Sequence, residues 1–592
     1  MNMKRILSLA LVAVLVLGLA MSGCGNSETP NSSAASTPGN ESSSTAPVSS
    51  GVASNGGEEK MAEDQTIYVN QELAATFDST QVQDVPSGTI VNMTQEGWFR
   101  YSFDDAGTAT VNKAACADYT ISDDGLTYTM KMIDYNWSDG KPVTADDYVY
   151  GAQCALDPAA AAPYSFFLTG IVGAADFNAG KTTDFSTVGV KAIDEKTVEY
   201  TLAAPDATFL SKLANSIFFP KRQDIVEAAG GEYGNTNNWQ SLVYCGPYTI
   251  TEWTDKDHGV LEKNEAYWDA ENVFLTTIDM TYVAEQATSD QLFEAGQLAF
   301  KGASSEYLQK YKDKAAAGEC EMVNADSTMS VFYLLYNTKR DLTSNAKIRK
   351  AIGYAVDNVA FCDTIMGRYT PAEVLVPGPV AMGEGNYREM AGVDPWRAGR
   401  EEYGNNPEKL QALFKEGLEE LGKDSSDLSQ YTLTYLTMND SSQDAQIIEF
   451  IQQALETNLG VKMEVKVSAD WGTFLNDMEG DEWDFVQTGW SPDYNDPMTY
   501  LDMFETGNGS NHGKYEVAEY DQMVRDAYAA TDETARFELY KQMEQKLADD
   551  MALTPLFIQD VWQFRQNNLR GLGIATINTN WEPKGVYLVA EE

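Results

Sequence analysis

Residues 137–150 read Trp-Ser-Asp-Gly-Lys-Pro-Val-Thr-Ala-Asp-Asp-Tyr-Val-Tyr, and they contain the signals of a turn and of a helix start. Asp and Gly at 139–140 favour the turn, because both residue types accept the backbone angles that turns require. Thr144 is expected to cap the helix that follows, with Asp147 three residues later as the acid of a capping box. The stretch therefore predicts a turn and then a helix that ends before the Asp-Pro pair at 157–158.

Patterns of strands and helices alternate along the rest of the chain. Strands are indicated by runs of β-branched and aromatic residues at 65–69, 127–132, 197–202, 431–436 and 461–467. Helices are indicated by apolar residues at helical spacing at 145–156, 348–360, 407–421, 445–459 and 533–549. The alternation is typical of mixed α/β domains, and a length of 592 residues suggests two or three of them.

The charge balance argues against several classes of partner. The chain has 89 Asp and Glu against 41 Lys and Arg, which gives a formal net charge of −48. Such a surface repels nucleic acid, and it does not attract anionic lipid. Acidity of this kind favours solubility and attracts cations, although a general adaptation of the lineage or to salt is the simpler explanation.

The N-terminus carries a targeting pattern. Two basic residues at 4–5 precede an apolar run at 6–21, which is short for a membrane span but suits the core of a signal peptide. The run leads into Met-Ser-Gly-Cys at 21–24, which resembles the lipobox of bacterial lipoproteins. This resemblance implies a signal peptide over residues 1–23 and a lipid on the thiol of Cys24, anchoring the protein on the extracellular face of the cell membrane. An ordinary secretory peptide, with Cys24 incidental, is the alternative.

Residues 24–64 are predicted to form a flexible lipoprotein tether. They are rich in Ser, Gly, Asn, Thr, Pro and Ala and contain no aromatic residue, so they cannot bury a core. About 40 residues of this composition span roughly 35 Å, which would hold a globular domain just off a membrane.

Cysteine usage argues against a disulfide scaffold and against a zinc site. Beyond Cys24 the chain has five cysteines, at positions 116, 154, 245, 320 and 362, and none of them belongs to a Cys-X-X-Cys motif. Because their number is odd, at least one thiol is expected to stay free.

Several further blocks follow residues 137–150 along the chain. They are Val188–Glu199, Cys245–Tyr248, Leu261–Asn264, Tyr267–Trp268, Tyr336–Thr338, Ile348–Asp357 and Thr488–Pro497. Together the blocks resemble the extracellular solute-binding proteins of family 5, which are the peptide- and nickel-binding proteins of ABC importers. The resemblance extends from about residue 65 to the end and is closest to the oligopeptide-binding branch.

The resemblance implies an α/β fold with two lobes that close as a clamp, as in periplasmic binding proteins, plus a small additional α/β domain. Lobe I would comprise residues 65–95, 220–329 and 556–592, the additional domain residues 96–219, and lobe II residues 330–555. The chain would cross between the lobes near residues 330 and 555, and closure about this hinge would trap a ligand.

The resemblance also assigns ligand-binding residues. Asp493 matches the family's ammonium-binding aspartate, and burying a peptide's cationic amine requires such a partner because an unpaired buried charge is costly. Trp490 and Trp471 match aromatic residues that line side-chain pockets, which suits broad specificity. Tyr164 matches a tyrosine that faces the ligand. For each residue the alternative is a structural role in a turn or in the core.

A peptide backbone is best recognised by other backbone groups, as an added strand. The segment Gln83, Asp84 and Val85 matches the family segment that pairs with the ligand, with Gly489 and Ser491 on the opposite side. An ordinary loop is the alternative for this segment.

The sequence departs from the family where some oligopeptide binders place arginines for the ligand's carboxylate. Gln487 and Met478 stand there, and residues 478–482 are acidic. Tight capture of a tripeptide carboxylate is therefore not expected, and a longer, cationic or non-peptide ligand is left open.

Together these features predict a monomeric binding protein that delivers short peptides to an ABC permease, with no enzymatic activity, cofactor or metal. A hydrolase is the distant alternative, because the chain has only His258 and His512 and lacks the His-Glu-X-X-His and Gly-X-Ser-X-Gly motifs. Oligosaccharide or chelated-metal binding by the same fold is the nearer alternative, and an aromatic content of 11% suits the stacking of sugars.

Overall fold

The computed structural model describes residues 59–590 apart from 256, 284, 304, 326–327, 368, 379, 383–384, 439–441, 470 and 578. The predicted signal peptide, Cys24 and most of the predicted tether lie outside the described residues. Within the described part of the chain, no helix is both long and apolar enough to cross a membrane.

The first described residues contact the C-terminal segment. Met61 forms an antiparallel bridge with Val589, and the backbone N–H of Ala62 donates to the carbonyl of Leu588 over 2.8 Å. This differs from the prediction of a flexible tether as far as residue 64, because backbone hydrogen bonds already fix the chain at residues 61–62.

Six strands form the largest sheet of the described chain. Their order across the sheet is Thr370–Pro371, Leu553–Ile558, Val331–Tyr336, Phe485–Trp490, Thr432–Met438 and Lys462–Ser468. Val331–Tyr336 is antiparallel to both neighbours, whereas Thr432–Met438 is parallel to both of its own. The helices that pack on this sheet span Ala346–Ala355, Asn358–Phe361, Ser442–Asn458, Trp471–Glu479 and Glu533–Asp549. Pro407–Glu420 packs on Ala346–Ala355 and Ser442–Asn458, and Ala518–Ala529 packs on Glu533–Asp549.

Two smaller sheets combine the beginning, the middle and the end of the described chain. One has the order Thr66–Asn70, Thr277–Thr281, His258–Lys263 and Tyr248–Thr254. The other has the order Phe300–Gly302, Val561–Arg565 and Glu321–Ala325, and helices Gln286–Glu294 and Ser305–Ala316 contact it. Trp581 and Val586 pack into the core of the first of these sheets, so the C-terminal segment completes that core.

The region between residues 99 and 201 forms its own antiparallel sheet and a hairpin. The hairpin pairs Phe99–Phe103 with Ala109–Lys113, and the sheet has the order Cys116–Ile121, Thr127–Met132, Thr197–Thr201 and Val190–Asp194. The predicted capped helix is confirmed as Ala145–Leu156, with the backbone N–H of Thr144 donating to Asp147 over 2.9 Å. Asp147 also accepts a hydrogen bond from the indole N–H of Trp137 over 3.3 Å, which folds this stretch back on itself.

One predicted helix is interrupted. The pattern predicts a single helix over 348–360, but the structure has Ala346–Ala355 and then Asn358–Phe361. The carboxylate of Asp357 accepts hydrogen bonds from the N–H groups of Val359 and Ala360, so it caps a second helix.

All five cysteines of the described region are unpaired thiols. Four of them are buried and Cys154 is half-buried, and burial raises the pKa of every one of the five. They contribute to the core as small apolar side chains.

Candidate functional site

A cavity of about 390 Å³ lies where three parts of the chain meet. Its walls come from residues 82–92, from Tyr164 together with residues 214–216, and from residues 489–493. The predicted ligand-binding residues that line it are Gln83, Asp84, Val85, Tyr164, Gly489, Trp490, Ser491 and Asp493. The side chain of Trp471, another predicted site residue, lies outside what the structure describes, although a helix begins at that position.

Asp493 lies in the loop between strand Phe485–Trp490 and helix Met498–Leu501 and is 6% exposed. Its backbone N–H donates to the Thr499 hydroxyl over 3.1 Å, which holds the loop against the helix. Burial raises the pKa of the Asp493 carboxyl to about 7, a hydrogen bond with Tyr164 opposes this rise, and the charge of Asp502 adds to it. A cation beside Asp493 would therefore be stabilised, because it would offset the cost of burying the carboxylate.

A buried lysine lies in the same region. The Lys212 ammonium is 2.9 Å from an Asp206 oxygen and 3.4 Å from the Tyr528 hydroxyl, and it stands 4.5 Å from the centre of the Tyr528 ring. The Tyr528 hydroxyl in turn donates to Asp502. Burial raises the pKa of Asp502 to about 6, and the Lys212 charge opposes that rise. We refer to Lys212, Asp206, Tyr528 and Asp502 as the Lys212 cluster, which joins residues 206–212 to residues 502–528.

One edge of strand Phe485–Trp490 is open along the cavity. In the described residues its neighbour Thr432–Met438 pairs with it only at Phe485 and Val486, so Gln487–Trp490 has a partner strand on one side alone. The indole N–H of Trp490 and the side-chain oxygen of Gln487 are buried, and neither has a hydrogen-bond partner among the described residues. An extended ligand backbone could pair with such an edge.

The opposite wall is partly helical. Asp84 is extended and its carboxylate accepts from the N–H of Ser87 over 2.8 Å, so it caps helix Val85–Thr94. Val85 is therefore the first residue of a helix, and its backbone differs from the extended conformation that the predicted strand pairing requires. Asp84 itself is extended, as strand pairing requires, while Ser491 on the facing wall bonds to Ser330 over 2.7 Å.

A second cavity of about 330 Å³ adjoins the first. Gln83, Tyr164, Gly489 and Trp490 line both cavities. The further walls of the second cavity are not among the predicted site residues, and they include Phe166, Tyr333, Leu335, Leu475, Asn476, Met478, Glu479, Met503, Phe504, Ser510, Asn511 and His512. Among these residues, the sequence singles out Met478 and the acidic stretch at 478–482, and His512 as one of its two histidines.

The two histidines lie in different parts of the structure and have different partners. His258 bonds to Asp279 over 2.9 Å within the four-stranded sheet, and His512 bonds to Glu479 over 2.7 Å at the second cavity. Across the described residues, no group of three His, Cys, Asp or Glu side chains is arranged to hold a metal ion.

Comparison with known proteins gives a consistent set of relatives. The model of the family described as "Bacterial extracellular solute-binding proteins, family 5 Middle" matches residues 110–512. The chain is 30% identical to the oligopeptide-binding protein OppA of Bacillus subtilis over 83% of this chain and 86% of the relative. It is 28% identical to the dipeptide-binding protein DppE of the same organism, over 89% of this chain and 93% of the relative.

Solved structures resemble the whole described fold. The substrate-binding domain of an oligopeptide ABC transporter from Bacillus anthracis aligns with a TM-score of 0.76 at 29% identity, covering 90% of this chain and 100% of that one. Listeria monocytogenes OppA bound to peptide aligns with a TM-score of 0.75 at 29% identity and with the same coverage.

Proposed function

Because the chain belongs to the bacterial extracellular solute-binding proteins of family 5, we propose that it captures short peptides with a free amino terminus between two lobes and delivers them to an ABC importer. Its fold is the two-lobed α/β fold of the oligopeptide-binding proteins, and it is a transport binding protein rather than an enzyme. The choice of a peptide as the ligand is the part of this proposal that must rest on the geometry of the site.

The observation that carries the proposal is a buried carboxylate beside an open strand edge. Asp493 is nearly inaccessible and burial raises the pKa of its carboxyl, so a cation placed beside it would offset the cost of burying the ionised form. The edge at Gln487–Trp490 offers backbone groups to an extended chain, and the buried indole N–H of Trp490 offers a donor. A peptide supplies both partners at once, because its amino terminus is cationic and its backbone can pair as a strand.

The proposed clamp keeps the boundaries expected from the sequence. One lobe comprises residues 65–95, 220–329 and 556–592, the other comprises residues 330–555, and residues 96–219 form the additional domain. The two crossings near residues 330 and 555 act as the hinge, and the protein works as a monomer with the permease as its partner.

Binding of a peptide is expected to strengthen as the pH rises from about 5.5 to about 7.5, by up to tenfold per pH unit. Below about pH 7 the Asp493 carboxyl carries a proton that it must lose before it can pair with an ammonium, so its raised pKa opposes binding on the acid side. The peptide amine keeps its own proton up to about pH 7.7. Calorimetry with a pool of free-amine pentapeptides, on protein unfolded and refolded to remove retained ligand, measures this profile.

The Asp493→Asn variant is the control, and its weaker binding should not change over this pH range. Maltohexaose tests the oligosaccharide alternative in the same buffers. Binding of the sugar without binding of any pentapeptide would overturn the proposal.

Lipidation at Cys24 is the second part of the proposal, and it rests on the basic start, the apolar run and the lipobox-like residues. Cells that express the chain and are fed a palmitate analogue should label the wild-type protein, because the thiol is the acceptor, and should leave Cys24→Ser unlabelled. Equal labelling of both proteins would remove the lipid anchor from the proposed function.

A further inference from the structure

We propose that the second cavity is a specificity site, which accepts a large apolar side chain of the bound peptide and rejects an acidic one. This inference rests on the proposed function and names the class of peptide that the same site selects. It concerns the residues of the second cavity that the sequence did not predict.

One part of the wall of the second cavity is apolar and buried in the core, and polar side chains line the rest. Tyr333, Leu335, Met478, Met503 and Phe504 line it, and none of these residues is more than 4% exposed. A volume of about 330 Å³ is within the range of about 300–1,000 Å³ that ligand pockets occupy. Methionine side chains adapt their shape to what they contact, so the two in this wall suit several large apolar side chains rather than one.

The position of the cavity makes it accessible to a peptide bound at Asp493. Tyr164, whose hydroxyl bonds to Asp493, lines both cavities, and so do Gly489 and Trp490 on the open strand edge. A peptide with its amine at Asp493 and its backbone along this edge therefore passes the mouth of the second cavity. Because side chains of an extended chain alternate between two faces, one of its first few side chains points into that cavity.

Apart from His512, the charged side chains that line the two cavities are acidic. Asp84 and Asp493 line the first, Glu479 and His512 line the second, and no Lys or Arg is found among the described lining residues of either. The Glu479 carboxylate is already paired with His512 over 2.7 Å. An acidic side chain would lose water and approach Glu479, and the one basic group of the lining, His512, is already bonded to Glu479. A basic side chain could lay its aliphatic part along the apolar wall and reach Glu479 with its charge.

The test uses alanine-based hexapeptides with a free amine, in which Gly, Leu, Phe, Lys or Glu replaces each of the first three residues in turn. At one of these positions Leu and Phe are expected to bind about tenfold or more tightly than Gly, because the side chain is buried. Glu at that position is expected to bind at least about tenfold more weakly than Gly, with Lys between these extremes. Equal affinities at all three positions, or a preference for Glu, would overturn the inference.

Two variants assign the effect to the second cavity. Leu475 lines it from helix Trp471–Glu479 and is half-buried, so Leu475→Trp should fill the space. We expect this variant to bind the Phe peptide about tenfold more weakly and the Gly peptide as the wild type does. Glu479→Gln should reduce the discrimination against the Glu peptide. If Leu475→Trp weakens both peptides equally, the selectivity does not reside in this cavity.

The same measurements separate this inference from the proposed function. Wild-type protein that binds none of the hexapeptides contradicts peptide capture itself. Protein that binds them all with one affinity retains peptide capture and loses the specificity site. Binding of the Gly peptide to Leu475→Trp also shows that this variant is folded.

Discussion

Asp493→Asn is expected to weaken the binding of a free-amine peptide by about 3–5 kcal/mol, which is several hundredfold or more in affinity. Asn preserves the shape of the side chain but removes the negative charge that would pair with the ammonium inside a buried site. Acetylating the peptide's amine should weaken binding to the wild type by a similar factor. The two losses should not add in the variant, because both changes remove the same interaction. Calorimetry over the four combinations of protein and peptide measures this coupling.

Asp84→Asn is the matched control for this experiment. Asp84 lines the same cavity, but its carboxylate caps helix Val85–Thr94, so the substitution should lower the free energy of unfolding by about 1 kcal/mol or less and leave the effect of acetylation intact. Asp493→Asn should not lower the free energy of unfolding at neutral pH, because the raised pKa of Asp493 means that its ionised form is destabilised by burial. If acetylation does not weaken binding to the wild type, or if both losses simply add, Asp493 does not bind the ammonium.

Lys212→Met is expected to weaken peptide binding by about tenfold to a hundredfold, although Lys212 is not among the described lining residues of either cavity. The substitution keeps most of the aliphatic volume and removes the only cation of the Lys212 cluster, leaving the half-buried Asp206 close to the buried Asp502 without it. Lys212 contacts Tyr528, and we assign these two residues to different parts of the clamp. Losing this contact should therefore destabilise the closed state of the clamp. Calorimetry gives the affinity, and small-angle scattering with saturating peptide gives the degree of closure.

The controls for Lys212 separate closure from general stability. Lys181→Met removes an exposed lysine paired with Asp176 and should change nothing. Asp502→Asn added to Lys212→Met should recover part of the affinity, since it removes one of the two unpaired acids. If Lys212→Met lowers the unfolding temperature while affinity and scattering stay unchanged, the cluster is a static contact and has no role in closure.

The sequence predicted elements best where the local signals agreed. The capped helix at 145–156 and the helix at 533–549 have the predicted bounds, because caps and apolar spacing specify both. The helix predicted over 348–360 was wrong at Val356 and Asp357, which separate two helices, because Asp357 can serve either inside a helix or as the cap of the next one. The apolar spacing of a segment does not distinguish between these two roles of an aspartate.

The site could be predicted in part. The residues assigned by resemblance come from short segments whose motifs are local, and eight of them meet in one cavity. The second cavity has no such motif, because Tyr333, Leu475 and Phe504 come from separate elements that approach only when the six-stranded sheet forms. The Lys212 cluster was missed for the same reason, since a lysine and a tyrosine more than 300 residues apart carry no joint signal in the sequence.

The thiols of the described region bear on how lobe closure can be observed. Because burial raises the pKa of all five, these cysteines should react slowly with maleimide dyes at neutral pH. Cysteines introduced at two exposed positions, one in each proposed lobe, would then be labelled selectively without first removing the native ones. A donor and acceptor dye on such a pair would report the distance between the lobes in single molecules, and would show directly how often the clamp closes when no peptide is present.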